Sequence, residues 1–564
     1  MKTLDWIVLS FTLTAVVLYG IWKSRHVKTS ENFLRGERNL QWWTIGLSIM
    51  ATQASAITFL STPGQGFFDG LQFVQFYFGM PIAMVFLAIF ILPVYYRLRV
   101  TTAYEFLEQR FDLRMRTLTA ILFLIQRGVA AAISIYAPSI ILCAVFGWNL
   151  AMTNMLMVVF VVLYTTSGGS AAVSRTQELQ MTIMMGGLVL AFFLVLQQLP
   201  EGIGLSEAWQ IAGATGKTQA IDWNFDWDDR YNFWSGVLGA TFLFLSYFGT
   251  DQSQVGRYLS GKSLRESRFG LLFNGFVKIP MQFLVLSVGV MVFVFYQFQA
   301  PPLYFNQVNR AKIKGTPQEE PFRRLEARDD SLFSQKQTLL NELAANMRSG
   351  EKEIPAETRA ALQKMELSRT ALRKNAEDIV KKADPGADPK DKDYVFINFI
   401  LRHIPTGLIG LMLAMIFCAS WSTTASELSA LAATSVSDIY RRSIVPDRDD
   451  THYFRVSRWF TVGWGVFIVI FATYADLFDN LIQAVNMVGS IFYGTILGIF
   501  FTAFFLKTVK GTAVFFAALI AQAIVVYLFF FVDKDAYLWY NPLGCGMVMG
   551  CGWLLQKILG RKSA

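Results

Sequence analysis

Apolar runs of about 20 residues recur along the chain with short polar or basic stretches between them. They lie near 5–22, 41–62, 71–95, 117–144, 149–166, 178–198, 236–256, 270–297, 404–436, 455–475, 480–505, 512–532 and 541–557. Each is long enough to cross a hydrocarbon core of roughly 30 Å as a helix. The pattern therefore predicts an all-α polytopic membrane protein with about 13 transmembrane helices. The first run is not a cleavable signal peptide, because it is too long, precedes a basic stretch and lacks a small-residue cleavage site. One stretch breaks the pattern. Residues 305–395 carry 34 charged side chains, 18 basic and 16 acidic, with helical periodicity near 329–349 and 356–382. This predicts an extracytoplasmic helical insertion, either a solvated structural element or a docking element for a partner.

Composition agrees with the periodicity. Of 564 residues, 54% are hydrophobic and 15% aromatic, with a mean hydropathy of +0.39, more than a soluble surface accommodates. The net charge of +9 follows from topology. With residue 1 outside, the inner loops hold 25 Lys and Arg, including Lys23, Arg25, Lys28, Arg35 and Arg38. The outer side, the insertion set aside, holds Lys2, Lys217, Arg230 and Lys534. The positive-inside rule then places the N-terminus outside and the C-terminus in the cytoplasm of an inner (plasma) membrane. The charge is not read as a nucleic-acid surface. Cys143, Cys418, Cys545 and Cys551 lie in or beside apolar runs without metal-ligand spacing, and His26, His403 and His452 are scattered. No catalytic constellation is evident, so an enzyme is not expected.

Polar groups within the spans are costly in lipid and mark cavities or partners. Arg127 falls about ten residues into its helix, roughly 15 Å along the axis. Lys278, Asn486, Glu427 and the run Ser420–Ser426 are further examples. Breaks at Ala51–Ala56 before Pro63-Gly64, and at Ser246–Asp251 around Gly249, fall in helices that open two similar five-helix blocks. Broken helices at membrane depth line sites, so the blocks read as inverted repeats. The expected organisation is an extra N-terminal helix and inner loop (1–40), repeat A (41–198), an outer loop (199–235), repeat B (236–505) interrupted by the insertion, and two C-terminal helices (506–564).

Five stretches resemble the sodium–solute symporter family: "SENFLRGERN" (30–39), "YYRLRVTTAYEFLEQRF" (95–111), "YTTSGGSAAV" (164–173), "TDQSQVGRYLSGK" (250–262) and "ASWSTTASELSALAATSVSDIY" (419–440). The sequences "ATQASAITFLSTPGQG" and "SQVGRYL" are closer to its iodide, multivitamin and monocarboxylate branch than to its sugar branch. The resemblance implies the LeuT-type 5+5 inverted-repeat fold, symport of a small solute with sodium, and a monomer in the lipid bilayer as the transport unit.

It also implies a sodium site. Ala419, Ser422 and Thr423 are spaced i, i+3, i+4 and share one helix face. With carbonyls of Ala51 and Ala54, two hydroxyls and a carbonyl there make five neutral oxygens, suited to a monovalent cation that must leave again. The alternative is that both hydroxyls bond within their own helix. A second sodium site of some relatives is not expected, because Gln177 and Ala425 replace an acid and a hydroxyl, although Ser426 remains; Glu178 or Glu427 could compensate. Solute contacts are implied for Ser55, Thr58, Tyr77, Arg127, Tyr247, Lys278 and Asn486, with Tyr247 serving either as an inner gate or in ordinary packing. Ile57, Thr58 and Tyr77 do not rebuild a hexose site. Arg127 either binds a solute carboxylate through its planar fork or pairs with a buried acid such as Glu427 or Glu178. The expectation is a sodium-coupled symporter of a small carboxylate-type anion. A sugar or polyol symporter and a non-transporting sensor on the same scaffold are the alternatives.

Overall fold

A computed structural model describes every residue except 28, 37, 226–230, 349–353, 387–388, 475–480, 533–535 and 561–564, together with the side chains of 24, 141, 144, 145, 348, 481–484 and 560. Lys28, Arg230 and Lys534 of the charge argument thus lie outside the described residues. Among the described residues the regular structure is helical, and one isolated backbone bridge joins Leu40 to Gly261.

Nine described helices are long and apolar enough to cross a membrane, ten when a bent pair counts as one span. The bent pair is α1 (Trp42–Gln53) and α2 (Ala56–Asp69), which meet at 67°. Ala54 (φ −82°, ψ 82°) and Ser55 (φ −78°, ψ 172°) leave helical geometry between them. The break divides what the apolar run 41–62 presents as one element. Further on, α3 (Leu113–Phe146) starts at the Asp112 cap, whose carboxylate accepts from Met115 N, and ends at Gly147 with φ 69°.

The next helix, α4 (Leu150–Gln197), runs for 48 residues, about 72 Å at 1.5 Å per residue and too long for one crossing. Gly169 breaks it with φ 55° and ψ −142°. A side chain at that position would collide with the Phe33 carbonyl and ring, so a glycine is required both by conformation and by space. A second break separates α5 (Ala240–Gly249) from α6 (Gln252–Leu259), where Asp251 caps the second half by accepting from Ser253 N. Two long helices follow, α7 (Leu264–Phe298) and, after the insertion, α10 (Leu408–Thr434). The latter begins after Gly407 (φ 92°), later than its apolar run, since Pro405 interrupts the helix. After it come α11 (Asp450–Thr473), which packs on it, and α12 (Leu481–Phe505), α13 (Gly511–Phe531) and α14 (Tyr540–Gly560), which pack on one another.

Every residue of α10 from Met412 to Thr434 is buried, polar ones included. It forms the axis of the molecule, packed on α4, α3, α11 and the broken α1–α2 pair. By contrast, α13 leaves Phe516, Ile520, Tyr527 and Phe530 exposed, the apolar surface of a helix that faces lipid.

The insertion forms two helices, α8 (Glu319–Arg348) and α9 (Ala356–Ala383). The first starts ten residues before its predicted onset, where Glu319 and Glu320 complement the helix N-terminus. Lys336–Glu366 and Arg369–Asp329 (3.0 Å) tie the pair together. Its foot is fixed to the C-terminal end of α2: Lys392 pairs with Asp69 at 2.8 Å, and Arg373 lies 4.4 Å over the Phe68 ring while pairing with Asp391.

Candidate functional site

The break between α1 and α2 releases two carbonyls. Continuing the helix would send Ser55 N–H to Ala51 O and Thr58 N–H to Ala54 O. Instead they donate to Gln53 O (3.1 Å) and Ser55 O (2.9 Å). The released Ala51 carbonyl meets α10, where it accepts from Ser422 Oγ at 2.9 Å and from Thr423 Oγ1 at 3.5 Å. Ser422 Oγ also lies 3.0 Å from Ala419 O, so the bond within its own helix and the bond across to α1 coexist. Ala51, Ala54, Ala419 and Ser422 are fully buried, and Thr423 is 5% exposed. The hydroxyls meet the released carbonyl in a dry pocket, an oxygen-only donor set of the kind a hard monovalent cation accepts.

One turn away, Gln177 fills the position considered for a second cation. Its side-chain NH2 donates to Ser426 Oγ (2.7 Å), Thr52 Oγ1 (3.0 Å) and Ser422 O (3.1 Å), while its carbonyl accepts from Ser48 Oγ. An amide donor thus satisfies oxygens that a cation would otherwise collect. Glu178 points elsewhere and accepts from Thr44.

Beside these groups is a cavity of about 90 Å³. It is lined by Ser55, Thr58, Tyr77, Arg127, Tyr247 and Asn486, six of the seven residues expected to contact solute, and by Thr423 of the cation site. Phe76, Phe244 and Tyr493 complete an aromatic wall. The seventh, Lys278 on α7, stands behind that wall. It is fully buried, its Nζ is 5.8 Å from the Tyr77 ring centre, and it has no hydrogen-bond partner among the described residues.

Arg127 is the polar centre of the cavity. It pairs with Glu427 (Nη1 to Oε1, 3.1 Å) and with Asp251 through Nη2, which also donates to Tyr493 OH at 2.7 Å. Its guanidinium lies 5.2 Å over the Tyr247 ring. The buried acid weighed for Arg127 is therefore present in Glu427, and a second one, Asp251, was not expected. The signal for it was available: an aspartate that caps a half-helix at a mid-membrane break points its carboxylate into the gap the break opens. Tyr493 carried no such signal, since one aromatic in an apolar run reads as packing. Tyr247 contacts both Arg127 and Gln254, whose Nε2 donates to its OH at 2.6 Å.

The family model described as "Sodium:solute symporter family" matches residues 33–311 and 377–521. The human sodium/iodide cotransporter is 30% identical over 289 residues, 50% of this chain and 43% of that protein. The sodium/sialic acid symporter SiaT of Proteus mirabilis is 24% identical over 98% of this chain and 95% of its own length. The chain thus spans less than half of the human relative and nearly all of the bacterial one. A solved substrate-bound, outward-open structure of a Na+-coupled sialic acid symporter shares the fold, with a TM-score of 0.76 at 21% identity, covering 99% of this chain and 98% of that one.

Proposed function

Since the chain belongs to the sodium:solute symporter family and is a multi-pass membrane protein, we propose that it imports a small carboxylate-type anion together with sodium by alternating access. The observation that carries the anionic solute is the charge around the cavity. Arg127 and Lys278 offset Asp251 and Glu427 one for one. Sodium at Ala51, Ala54, Ala419, Ser422 and Thr423 would add one positive charge, and a monoanion restores neutrality where net charge is costly. The iodide and sialic acid relatives carry anions in their names, in line with this reading.

Sodium would bridge the α1–α2 break and α10, the two elements that supply its oxygens. Its arrival stabilises the arrangement that receives the solute, and its loss to a sodium-poor cytoplasm releases both. The membrane potential contributes about 2.3 kcal/mol per charge per 100 mV. In this reading the N-terminus is outside, the C-terminus is cytoplasmic, the membrane is the cell's inner membrane and the monomer in lipid is the transport unit. The division into repeats 41–198 and 236–505, with the insertion 305–395 on the outer face, belongs to the same proposal.

The test is counterflow in proteoliposomes under an inward sodium gradient, with a competition panel of monocarboxylates, sugar acids, inorganic anions, neutral sugars and polyols. Competition by small monoanions that vanishes when choline replaces sodium is expected. Competition by neutral sugars or polyols alone would overturn the anionic solute. Saturable binding without translocation would identify a sensor instead.

A further inference from the structure

Arg127 has more acid around it than its own charge requires, and the two acids are held differently. Asp251 is engaged on both oxygens: Oδ1 accepts from Ser253 N (2.9 Å) and Ser253 Oγ (2.6 Å), and Oδ2 from Arg127 and Tyr493 OH (3.3 Å). These contacts fix it as the cap of α6. Among the described residues Glu427 has one polar partner, Arg127 Nη1 on its Oε1, and its buried Oε2 has none. It is the carboxylate free to turn.

The register of α10 determines where it can turn. Ala419, Thr423 and Glu427 recur every four residues and share one face. Residues so spaced have Cβ atoms about 5–6 Å apart, and both Thr423 and Glu427 line the cavity. The sodium site offers only neutral oxygens. A carboxylate therefore stands one turn from them, on a side chain with one oxygen unused among the described residues.

We propose that Glu427 is the residue that couples sodium to solute. Without sodium it holds one arm of the Arg127 fork and withholds it from the solute. Sodium at the adjacent site attracts the carboxylate and frees Nη1 for a solute carboxylate, while Asp251 keeps the guanidinium in place. Two cations compete for one carboxylate, so whatever weakens one claim strengthens the other, as reciprocal linkage requires. The inference rests on the reading above that sodium binds at Ser422 and Thr423 and that the solute is an anion.

The test needs no knowledge of the solute. Equilibrium binding of radiolabelled sodium is measured on the purified full chain in nanodiscs for the native protein, Glu427→Gln, Glu427→Asp, Arg127→Lys and the double variant Arg127→Lys with Glu427→Gln. Glu427→Gln is expected to weaken sodium about tenfold, and Glu427→Asp, which keeps the charge, to recover most of the loss. Arg127→Lys replaces a two-armed grip by a point charge and is expected to tighten sodium severalfold. That tightening disappears in the double variant, an outcome that general damage to the site does not produce. Sodium binding unchanged in Glu427→Gln, or tightening that persists in the double variant, would overturn the proposal. If Glu427→Gln does not fold, Arg127→Lys decides it: sodium must tighten there while Glu427→Asp stays close to native, and sodium that is unchanged or weaker in Arg127→Lys overturns the proposal. Failure of the sodium site itself reads differently: the native protein would show no saturable sodium binding, or Ser422→Ala with Thr423→Val would bind normally.

Discussion

Ser422 and Thr423 supply the side-chain oxygens at the released Ala51 carbonyl. Ser422→Ala with Thr423→Val should abolish sodium-dependent uptake while the purified protein remains monodisperse; uptake with native sodium dependence in that variant removes the site. Gln177 argues for one sodium per cycle, because its amide already donates to Thr52, Ser422 and Ser426. Gln177→Asp converts that donor into an acceptor and should raise the Hill coefficient for sodium above one, measured as initial uptake against sodium concentration. A native Hill coefficient near two contradicts the single site. Lys278 is buried without a hydrogen-bond partner among the described residues, so Lys278→Gln removes one positive charge from the surroundings of the solute. It is expected to weaken anion competition, since a positive charge near the cavity favours an anion there, and competition that stays at the native concentration places the anion elsewhere.

The break between α1 and α2 orders the rest of the site, and α2 is held by backbone approaching backbone. A Cβ at Gly64 would overlap the Lys392 carbonyl, and one at Gly66 the Leu286 carbonyl. Backbone cannot step aside as a flexible side chain can. Gly66→Ala should therefore lower stability by about 1–3 kcal/mol, seen as a lower melting temperature in detergent. An unchanged melting temperature means that α2 and α7 separate at little cost. Gly546, which has open space around it, is the matched control. The break in α4 falls in the gap between the apolar runs 149–166 and 178–198, and only the contact with Phe33 shows that Gly169, not Gly168, bends.

Over the whole molecule, the charged insertion is docked rather than loosely appended, through Lys392–Asp69, Arg373 over Phe68 and the Lys336–Glu366 pair inside it. Burial pushes the Glu366 carboxyl up, but Lys336 outweighs it and holds the group below its usual 4.5. A lowered folded value stabilises above the unfolded one and is lost as pH falls through it. Thermal stability should thus be flat in this respect above pH 4.5 and decline below it. Glu366→Gln should cost about 2 kcal/mol and remove that decline; a decline that persists unchanged assigns it to other groups. The membrane class, the breaks at Ala51–Ala56 and Ser246–Asp251, the charged insertion and the shared face of Ala419, Ser422 and Thr423 could be read in the order of residues, because each follows from local physics: apolar length, helix-breaking residues, charge and helical spacing. The residues expected to line the cavity came instead from the family resemblance. The pairing of Arg127 could be read only in part: Glu427 was one of the two acids weighed for it, and Asp251 was not foreseen. Asp251 and Glu427 lie 124 and 300 residues from it along the chain, and a carboxylate's type says nothing of which buried cation it will face. The same holds for Lys278 behind Tyr77 and for Gln177 among three oxygens. Those pairings depend on how helices from both halves close on α10, which only the packed structure decides.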